Sequence, residues 1–137
     1  MSYQYHQKVL FKYCDPDGFV FYPRLIEMVN DTVEGFFAEA LNWPFEEMLK
    51  SAGVPTVRLE VDFTAPAIHG EELVIALEVT RLGNTSLELH HTATCNNAPR
   101  FDVRQTLVHI CATPPRQATP WPEAIRTRLE SHLKGSP

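Results

Sequence analysis

Residues 11–31, FKYCDPDGFVFYPRLIEMVND, decide how the rest of the chain is read. Cys14-Asp15-Pro16-Asp17-Gly18 interrupts any regular structure before it, because Pro fixes its own φ, Gly admits positive φ, and Asp side chains bond nearby backbone amides. From Pro23 onward Leu25, Ile26, Val29, Val33, Phe36, Phe37, Ala40 and Leu41 recur at helical spacing. That period predicts the longest helix of the chain over 23–41, with proline in the first turn, where its missing N–H removes no hydrogen bond. Glu27, Asp31, Glu34 and Glu39 take much of the remaining surface, and the apolar stripe is still wide enough for a sheet to wrap around it.

On the N-terminal side, residues 4–13 alternate Tyr5, Gln7, Val9 and Phe11 against His6, Lys8, Leu10 and Lys12, the two-residue period of a half-buried strand. On the C-terminal side a shorter helix is predicted from Pro44 to Ala52, with Gly53 as its stop. Four strands follow. Val57, Leu59, Val61 and Phe63 oppose Arg58, Glu60, Asp62 and Thr64; Leu73, Ile75, Leu77 and Val79 mark the next strand, with Pro66 to Glu71 as the turn between. Gly83-Asn84 turns the chain into the series Leu87, Leu89, His91 and Ala93, and Asn96 to Pro99 lead into Phe101, Val103, Gln105, Leu107 and His109. The order is β-α-α-β-β-β-β, an α+β arrangement whose helix and antiparallel sheet bury their apolar faces on each other.

Pro114-Pro115 and Pro120-Trp121-Pro122 break this regularity, and Ile125, Leu129 and Leu133 form a modest stripe on a terminal helix that either covers a sheet edge or is mobile. The expected division is a domain over 1–113 with residues 114–137 packing on it. At 137 residues the chain holds one core, since two would each bury too little apolar surface.

A net charge of −5 and no Lys/Arg run argue against nucleic acid as a partner. No apolar run reaches the ~18 residues of a membrane span. The opening MSYQYHQKVLFKY lacks the features of a secretion signal, and the three cysteines, Cys14, Cys95 and Cys111, form no CxxC pair. The expectation is therefore a protein of the cytoplasm with free thiols.

The Asp, two residues, Gly, apolar stretch, Tyr-Pro and helix of residues 15–23 resemble the opening of the 4-hydroxybenzoyl-CoA thioesterase family. The resemblance continues in register through Val54-Pro55, through FTAPAIHGEEL at 63–73 and RLGNTSLELHH at 81–91, and fades after Thr113. It implies the hotdog fold, an antiparallel sheet wrapped around one long central helix, and hydrolysis of an acyl-CoA thioester with no cofactor beyond the CoA of the substrate. It further implies a homodimer or homotetramer with the site built between chains.

By the same resemblance Asp15 is the catalytic carboxylate, either nucleophile or base for water, Gly18 lets the chain pass close to substrate, and the Tyr22 backbone amide polarises the carbonyl. The chemistry is consistent with that assignment. A thioester has a good leaving group, so an oriented carboxylate and the unpaired amides of a helix start suffice without a Ser-His-Asp triad. The bland alternative is that Asp15 only caps a turn. Asp17 is the competing carboxylate and is read as a turn residue.

Phe19 is the nearest apolar candidate for substrate contact, with Phe21, Phe36, Phe37 and Trp43 as further candidates for an acyl pocket that helical spacing assigns as readily to the core. The CoA phosphates require cations, and the family's basic hairpin run is replaced here by Gly83-Asn84-Thr85. Either Arg58, Arg81, Arg100 or Arg104 substitutes, or the nucleotide stays largely in solvent, or the donor is an acyl carrier protein; Arg58, Arg81, Asn84 and Thr85 are carried with Phe19 as the substrate-binding candidates. His6, His69, His90, His91, His109 and His132 show no metal-ligand spacing, and His90 and His91 must point to opposite faces of one strand, so no metal is expected. Cys14 lacks an identifiable base, and Glu34 and Glu39 are read as solvated helix positions. A non-catalytic acyl-thioester binding module and a hotdog hydroxyacyl dehydratase are the competing functions. The latter would need a His in the turn or the long helix, and none is there.

Overall fold

In a computed structural model of the protein, which describes residues 2–135, five antiparallel strands in the order β1-β4-β5-β6-β3 curve around helix α1. These are β1 (Tyr3–Lys8), β3 (Thr56–Phe63), β4 (Glu72–Leu82), β5 (Ser86–Cys95) and β6 (Ala98–Val108). Helix α1 (Tyr22–Gly35) buries Leu25, Met28, Val29, Thr32 and Val33 against them. The architecture is the α+β hotdog fold, an antiparallel sheet wrapped around one long central helix.

The inward positions of β4, β5 and β6 are apolar with two exceptions. Leu73, Ile75, Leu77, Val79, Leu87, Leu89, Ala93, Phe101, Val103 and Leu107 are buried, and so are His91 and Gln105. Along each element the polar positions fall between two apolar clusters. Leu25, Met28, Val29, Ala93, Phe101 and Val103 belong to one cluster, and Val33, Phe36, Leu87, Leu89 and Leu107 belong to the other. Thr32, His91 and Gln105 form the band between them, with the Thr32 hydroxyl donating to the Met28 carbonyl at 2.8 Å.

Several boundaries differ from the sequence-based expectation. The first strand ends at Lys8, not residue 13: the Gly70 N–H donates to the Val9 carbonyl, and the chain then tightens into a 3₁₀ turn at Phe11–Tyr13, leaving Phe11 59% exposed. The long helix reaches Ala40, but its last turn, Phe36–Ala40, is π-helical, with the Leu41 N–H donating to the Phe36 carbonyl. Gly35 precedes that turn, and its missing side chain admits the Tyr3 hydroxyl, which would lie 2.5 Å from an added Cβ and which donates to Glu39 at 2.5 Å. The second helix, α2 (Phe45–Met48), is shorter than expected. Gly53 is no helix stop but part of β2 (Ala52–Gly53), paired with β7 (Ile110–Cys111), a non-local contact that no local pattern announces.

The C-terminal segment closes the end of the core remote from Asp15. Trp121, Ile125 and Leu129 join the buried cluster that contains Phe36 and Phe37, and helix α3 (Glu123–Ser131) is tied down by Arg128 donating to the Leu41 carbonyl and Arg126 to the Gly83 carbonyl. Leu133 bridges Val79.

At the other end, Cys14–Val20 folds back as a small hairpin. Its strands meet through Asp15 N–H to the Phe19 carbonyl and Phe21 N–H to the Tyr13 carbonyl. The hairpin is fastened to the turn before β4: Val20 N–H donates to Ala67 and His69 N–H to the Gly18 carbonyl. That turn is in turn held by Glu71, whose carboxylate accepts from the Ile68 N–H at 2.9 Å and from Arg100 at 2.6 and 3.1 Å, with both side chains largely buried. Arg100 on β6 thus fixes the loop that carries Asp15 without touching it.

The Arg100 hydrogen bonds hold the Glu71 carboxyl below its ordinary value near 4.5, against the opposing effect of burial. A lowered folded-state value means the stabilisation is complete above the ordinary carboxylate range and is lost as pH falls through the folded value. Glu71→Gln should lose about 1–3 kcal/mol at pH 7, the worth of charge-assisted hydrogen bonds. Urea denaturation from pH 7 to 3 should show the wild-type advantage shrinking at the acid end; a constant difference would mean that the ion pair does not hold this turn.

Candidate active site

Helix α1 starts without a side-chain cap. Its N-cap is Phe21, and the first helical residue, Tyr22, is followed by Pro23. The Arg24 N–H finds the Phe21 carbonyl, while the Tyr22 N–H meets no acceptor among the described residues. First-turn amides have no partner within the helix, so this one is left for a ligand or water at the positive end of the helix dipole.

The hairpin brings Asp15 to that end. Tyr13 lies opposite Phe21, and Asp15, two residues further, opposite Phe19, about one strand repeat of ~7 Å from the helix entry. Asp15 is exposed, and its carboxylate has no hydrogen-bond partner among the described residues. Asp17 does the structural work of the turn instead: its Oδ1 accepts from the Phe19 N–H at 3.0 Å. Gly18 has φ +87°, a conformation that L side chains rarely adopt, and it closes the turn through its N–H to the Asp15 carbonyl. The two carboxylates expected to compete thus have different surroundings.

Beside the helix start lies a cavity of about 340 Å³ lined by Val20, Tyr22, Leu25, Phe63, Thr64 and Ala67. The Tyr22 ring, 60% exposed, meets Phe63 edge-on with centroids 6.1 Å apart. Phe19 is also exposed and bridges Ile68. Phe36 and Phe37, candidates for an acyl pocket, are core residues at the far end of the helix, whereas Phe21 is 48% exposed at the near end.

The structure gathers Asp15, Gly18, Phe19 and Tyr22 and separates them from the other candidates. Arg81, Asn84 and Thr85 lie at the opposite end of β4 from the turn that fastens the hairpin, a strand length of about 35 Å. Arg58 stands on the outer face of the sheet in an ion pair with Glu60, and Arg81 pairs with Glu88 at 3.7 Å. Arg100 is committed to Glu71, and Arg104 lines a shallow outer-face pocket with Arg58 and Glu88. Glu34 is exposed, while Glu39 accepts from Tyr3.

His90 and His91 point to opposite faces, His90 to Asp102 at 2.7 Å and His91 into the core. Among the described residues no group of three or more His, Cys, Asp or Glu is placed to hold a metal ion, and Cys14, Cys95 and Cys111 are free thiols. Burial and the nearby Asp15 and Asp17 push the Cys14 thiol up, away from thiolate character. No helix among the described residues is long and apolar enough to cross a membrane.

Two parts of this region escaped sequence reasoning. One is the Arg100–Glu71 tie. The other is the exposure of the apolar face of β3: the alternation placed Leu59, Val61 and Phe63 on one face but gave no reason to leave it open, and Leu59 is 40% and Phe63 50% exposed. A second cavity of about 170 Å³ is lined by Asn30, Val33, Phe45, Thr56, Gln105 and Leu107, among others.

Comparison with known proteins agrees with the fold. The chain is similar to the 1,4-dihydroxy-2-naphthoyl-CoA hydrolase of Synechococcus elongatus, 27% identical over 133 residues that cover 94% of this chain and 96% of the relative. A solved 1,4-dihydroxy-2-naphthoyl-CoA thioesterase from Synechocystis superposes with a TM-score of 0.85 at 19% identity, covering 94% of this chain and 96% of that one. A Staphylococcus aureus protein solved in complex with CoA superposes with a TM-score of 0.91 at 15% identity, covering 100% and 87%. The profile of the thioesterase-like superfamily matches residues 9–129, nearly the whole chain, and the protein belongs to that superfamily.

Proposed function

We propose that the protein hydrolyses an acyl-CoA thioester with an aromatic or short-to-medium acyl group to the free acid and CoA, with Asp15 as nucleophile or general base. The observation that carries this reading is the pairing of an exposed carboxylate free of protein hydrogen bonds with an uncapped helix start whose first amide has no acceptor among the described residues. In a hydrolysis run by base catalysis, Asp15 takes a proton from water as the oxygen attacks the thioester carbonyl. The Tyr22 amide donates to the oxyanion that forms, and collapse of the tetrahedral intermediate expels the CoA thiolate. In the nucleophilic version the Asp15 carboxylate attacks the thioester carbonyl, the C–S bond breaks to expel the CoA thiolate, and water then cleaves the resulting mixed anhydride to free acid and carboxylate. Membership of the thioesterase-like superfamily and similarity to 1,4-dihydroxy-2-naphthoyl-CoA hydrolases support the thioester and an aromatic acyl group. An acyl carrier protein is the alternative donor.

The working form is a homodimer or homotetramer in the cytoplasm. What supports self-association is β3, an edge strand whose outer edge is unpaired and which exposes Val57, Leu59 and Phe63 beside the exposed Phe21 and Tyr22. An open, apolar edge of this kind is costly in water and is ordinarily covered. In this assembly the phosphate-binding candidates Arg58, Arg81, Asn84 and Thr85 serve the site of a neighbouring chain, since Arg81, Asn84 and Thr85 lie a strand length from the Asp15 hairpin in their own and Arg58 faces outward beside Glu60.

Release of free CoA thiol should fall by 10²–10⁴, roughly the worth of a positioned acid–base group, in Asp15→Asn. Asp17→Asn should keep most of the activity, because its role is one turn hydrogen bond. Reversal of the two effects would transfer the chemistry to Asp17.

Light scattering should give a mass at least double the 15.6 kDa chain, and Leu59→Asp should shift it toward the single-chain value with loss of turnover. A fully active wild-type monomer would contradict a site completed by a second copy.

A further inference from the structure

Arg100 reaches two sides of the Asp15 region from one position on β6. Its side chain grips Glu71 through Nη2 to Oε2 at 2.6 Å and Nε to Oε1 at 3.1 Å, and the two side chains are only 16% and 17% exposed. Its main-chain carbonyl accepts from the N–H groups of Thr64 and Ala65 at 2.9 and 3.1 Å, and both of these residues line the cavity beside the helix start. The two ends of the 64–71 segment are therefore fastened to one residue, at one end through the main chain and at the other through a forked ion pair.

Between those ends lies the support of the Asp15 hairpin. The Val20 N–H donates to the Ala67 carbonyl at 2.9 Å, the His69 N–H donates to the Gly18 carbonyl at 2.9 Å, and Phe19 bridges Ile68. Glu71 Oε1 accepts from the Ile68 N–H at 2.9 Å as well as from Arg100, so the oxygen that meets β6 also sets the backbone of the residue opposite Phe19. Side-chain packing does little of this work. Cys14 and Val20 pack on the core from the two ends of the hairpin, but no residue from Cys14 to Val20 is fully buried, and Asp15, Pro16 and Asp17 at its tip are exposed. The place of the hairpin is thus set by its hydrogen bonds to 64–71, and the place of 64–71 by Arg100. A forked guanidinium–carboxylate pair fixes orientation as well as distance, which a solvated single contact such as Lys8 with Glu72 at 3.8 Å does not.

We propose that the Arg100–Glu71 pair is a positioning element of the active site, setting where the Asp15 carboxylate stands relative to the Tyr22 amide and the adjoining cavity. The inference rests on the reading of Asp15 as the catalytic carboxylate. Neither Arg100 nor Glu71 touches substrate in this scheme; both act through the hairpin. A reacting group displaced by about 1 Å loses up to ~10² in rate, while the surfaces that hold the acyl group are little altered, so the pair governs kcat more than KM.

Two full-length variants test this. Glu71→Gln keeps an acceptor for Ile68 and the side-chain volume but removes the charge, and Arg100→Lys keeps the charge but removes the fork. Thiol release is followed from benzoyl-CoA, 2-naphthoyl-CoA and hexanoyl-CoA at a temperature where circular dichroism shows each variant folded. On the ester that the wild type hydrolyses fastest, each variant should lower kcat by about 10- to 100-fold with KM within about twofold, and Glu72→Gln, at the exposed neighbouring pair, should leave kcat unchanged. Adding Glu71→Gln to Asp15→Asn should cost less than about twofold more, because a pair that acts through Asp15 then has nothing left to position; a purely structural pair would cost the same factor in both backgrounds. Amide hydrogen exchange, which needs no substrate, should rise roughly tenfold over residues 13–21 in Glu71→Gln and keep its wild-type level over 86–95. Unchanged exchange in the hairpin, wild-type kcat in both variants, or equal losses with and without Asp15 would overturn the proposal. Full activity of Asp15→Asn would instead sink the catalytic reading of Asp15, and with it the catalytic role of the pair, while the exchange result still decides whether the pair holds the hairpin.

Discussion

Burial of α1 is the constraint on which the rest of the structure depends. A helix whose apolar stripe is Leu25, Met28, Val29, Val33, Phe36 and Phe37 has no stable existence outside a sheet that covers it, and the five strands curve for that purpose. Once covered, the helix is held at both ends by different means. Its C-terminal end is locked by Tyr3 against Glu39, by Arg128 on the Leu41 carbonyl, and by Trp121 and Leu129 in the adjoining core. Its N-terminal end is located by the Cys14–Val20 hairpin and, behind it, by Arg100 and Glu71, none of which caps it. The hairpin and the ion pair behind it therefore fix the position of the Tyr22 amide, which has no acceptor among the described residues. A helix start held in place and left uncapped is open to an external acceptor.

How much of this the sequence disclosed depended on distance along the chain. Alternation at Leu73–Val79 and helical spacing at Leu25–Leu41 each arise from one element burying one face, so they are readable locally, and they gave the fold. Asp15, Gly18 and Tyr22 lie within one short stretch, so a candidate site could be drawn from the sequence, with the proposed roles coming from the family resemblance. Arg100 and Glu71 are 29 residues apart, and Gln105 and Thr56 are 49 apart. No period links them. The first strand ended early for a related reason: Phe11 continues the alternation, but the pairing stops where Gly70 meets Val9, and a strand without a partner has no ladder to extend. The exposed face of β3 had an equally clean pattern as the buried faces, since alternation reports that one face is apolar and says nothing of what covers it.

The inward series on β5 and β6 did carry a local signal. Leu87, Leu89, His91, Ala93 and Phe101, Val103, Gln105, Leu107 each contain one polar residue at a core position, and the strand register places the two diagonally within reach of each other. A single such residue is ordinarily a satisfied core polar group. Two on neighbouring strands, bonded to each other and to a third at the surface, are a different matter, because the same volume filled by leucine would remove the orphaned Nδ1 and pack without loss.

That comparison also bears on why the core is divided. The Thr32, His91 and Gln105 band separates the apolar cluster behind the helix start from the cluster closed by α3, and Gln105 joins it to the exposed Thr56 on β3. What the band supplies is register: the His91–Gln105–Thr56 series of hydrogen bonds ties β5, β6 and β3 together across the core, and because burial keeps the imidazole neutral no unpaired charge is added, so the strands that cover α1 cannot slip past one another without breaking it.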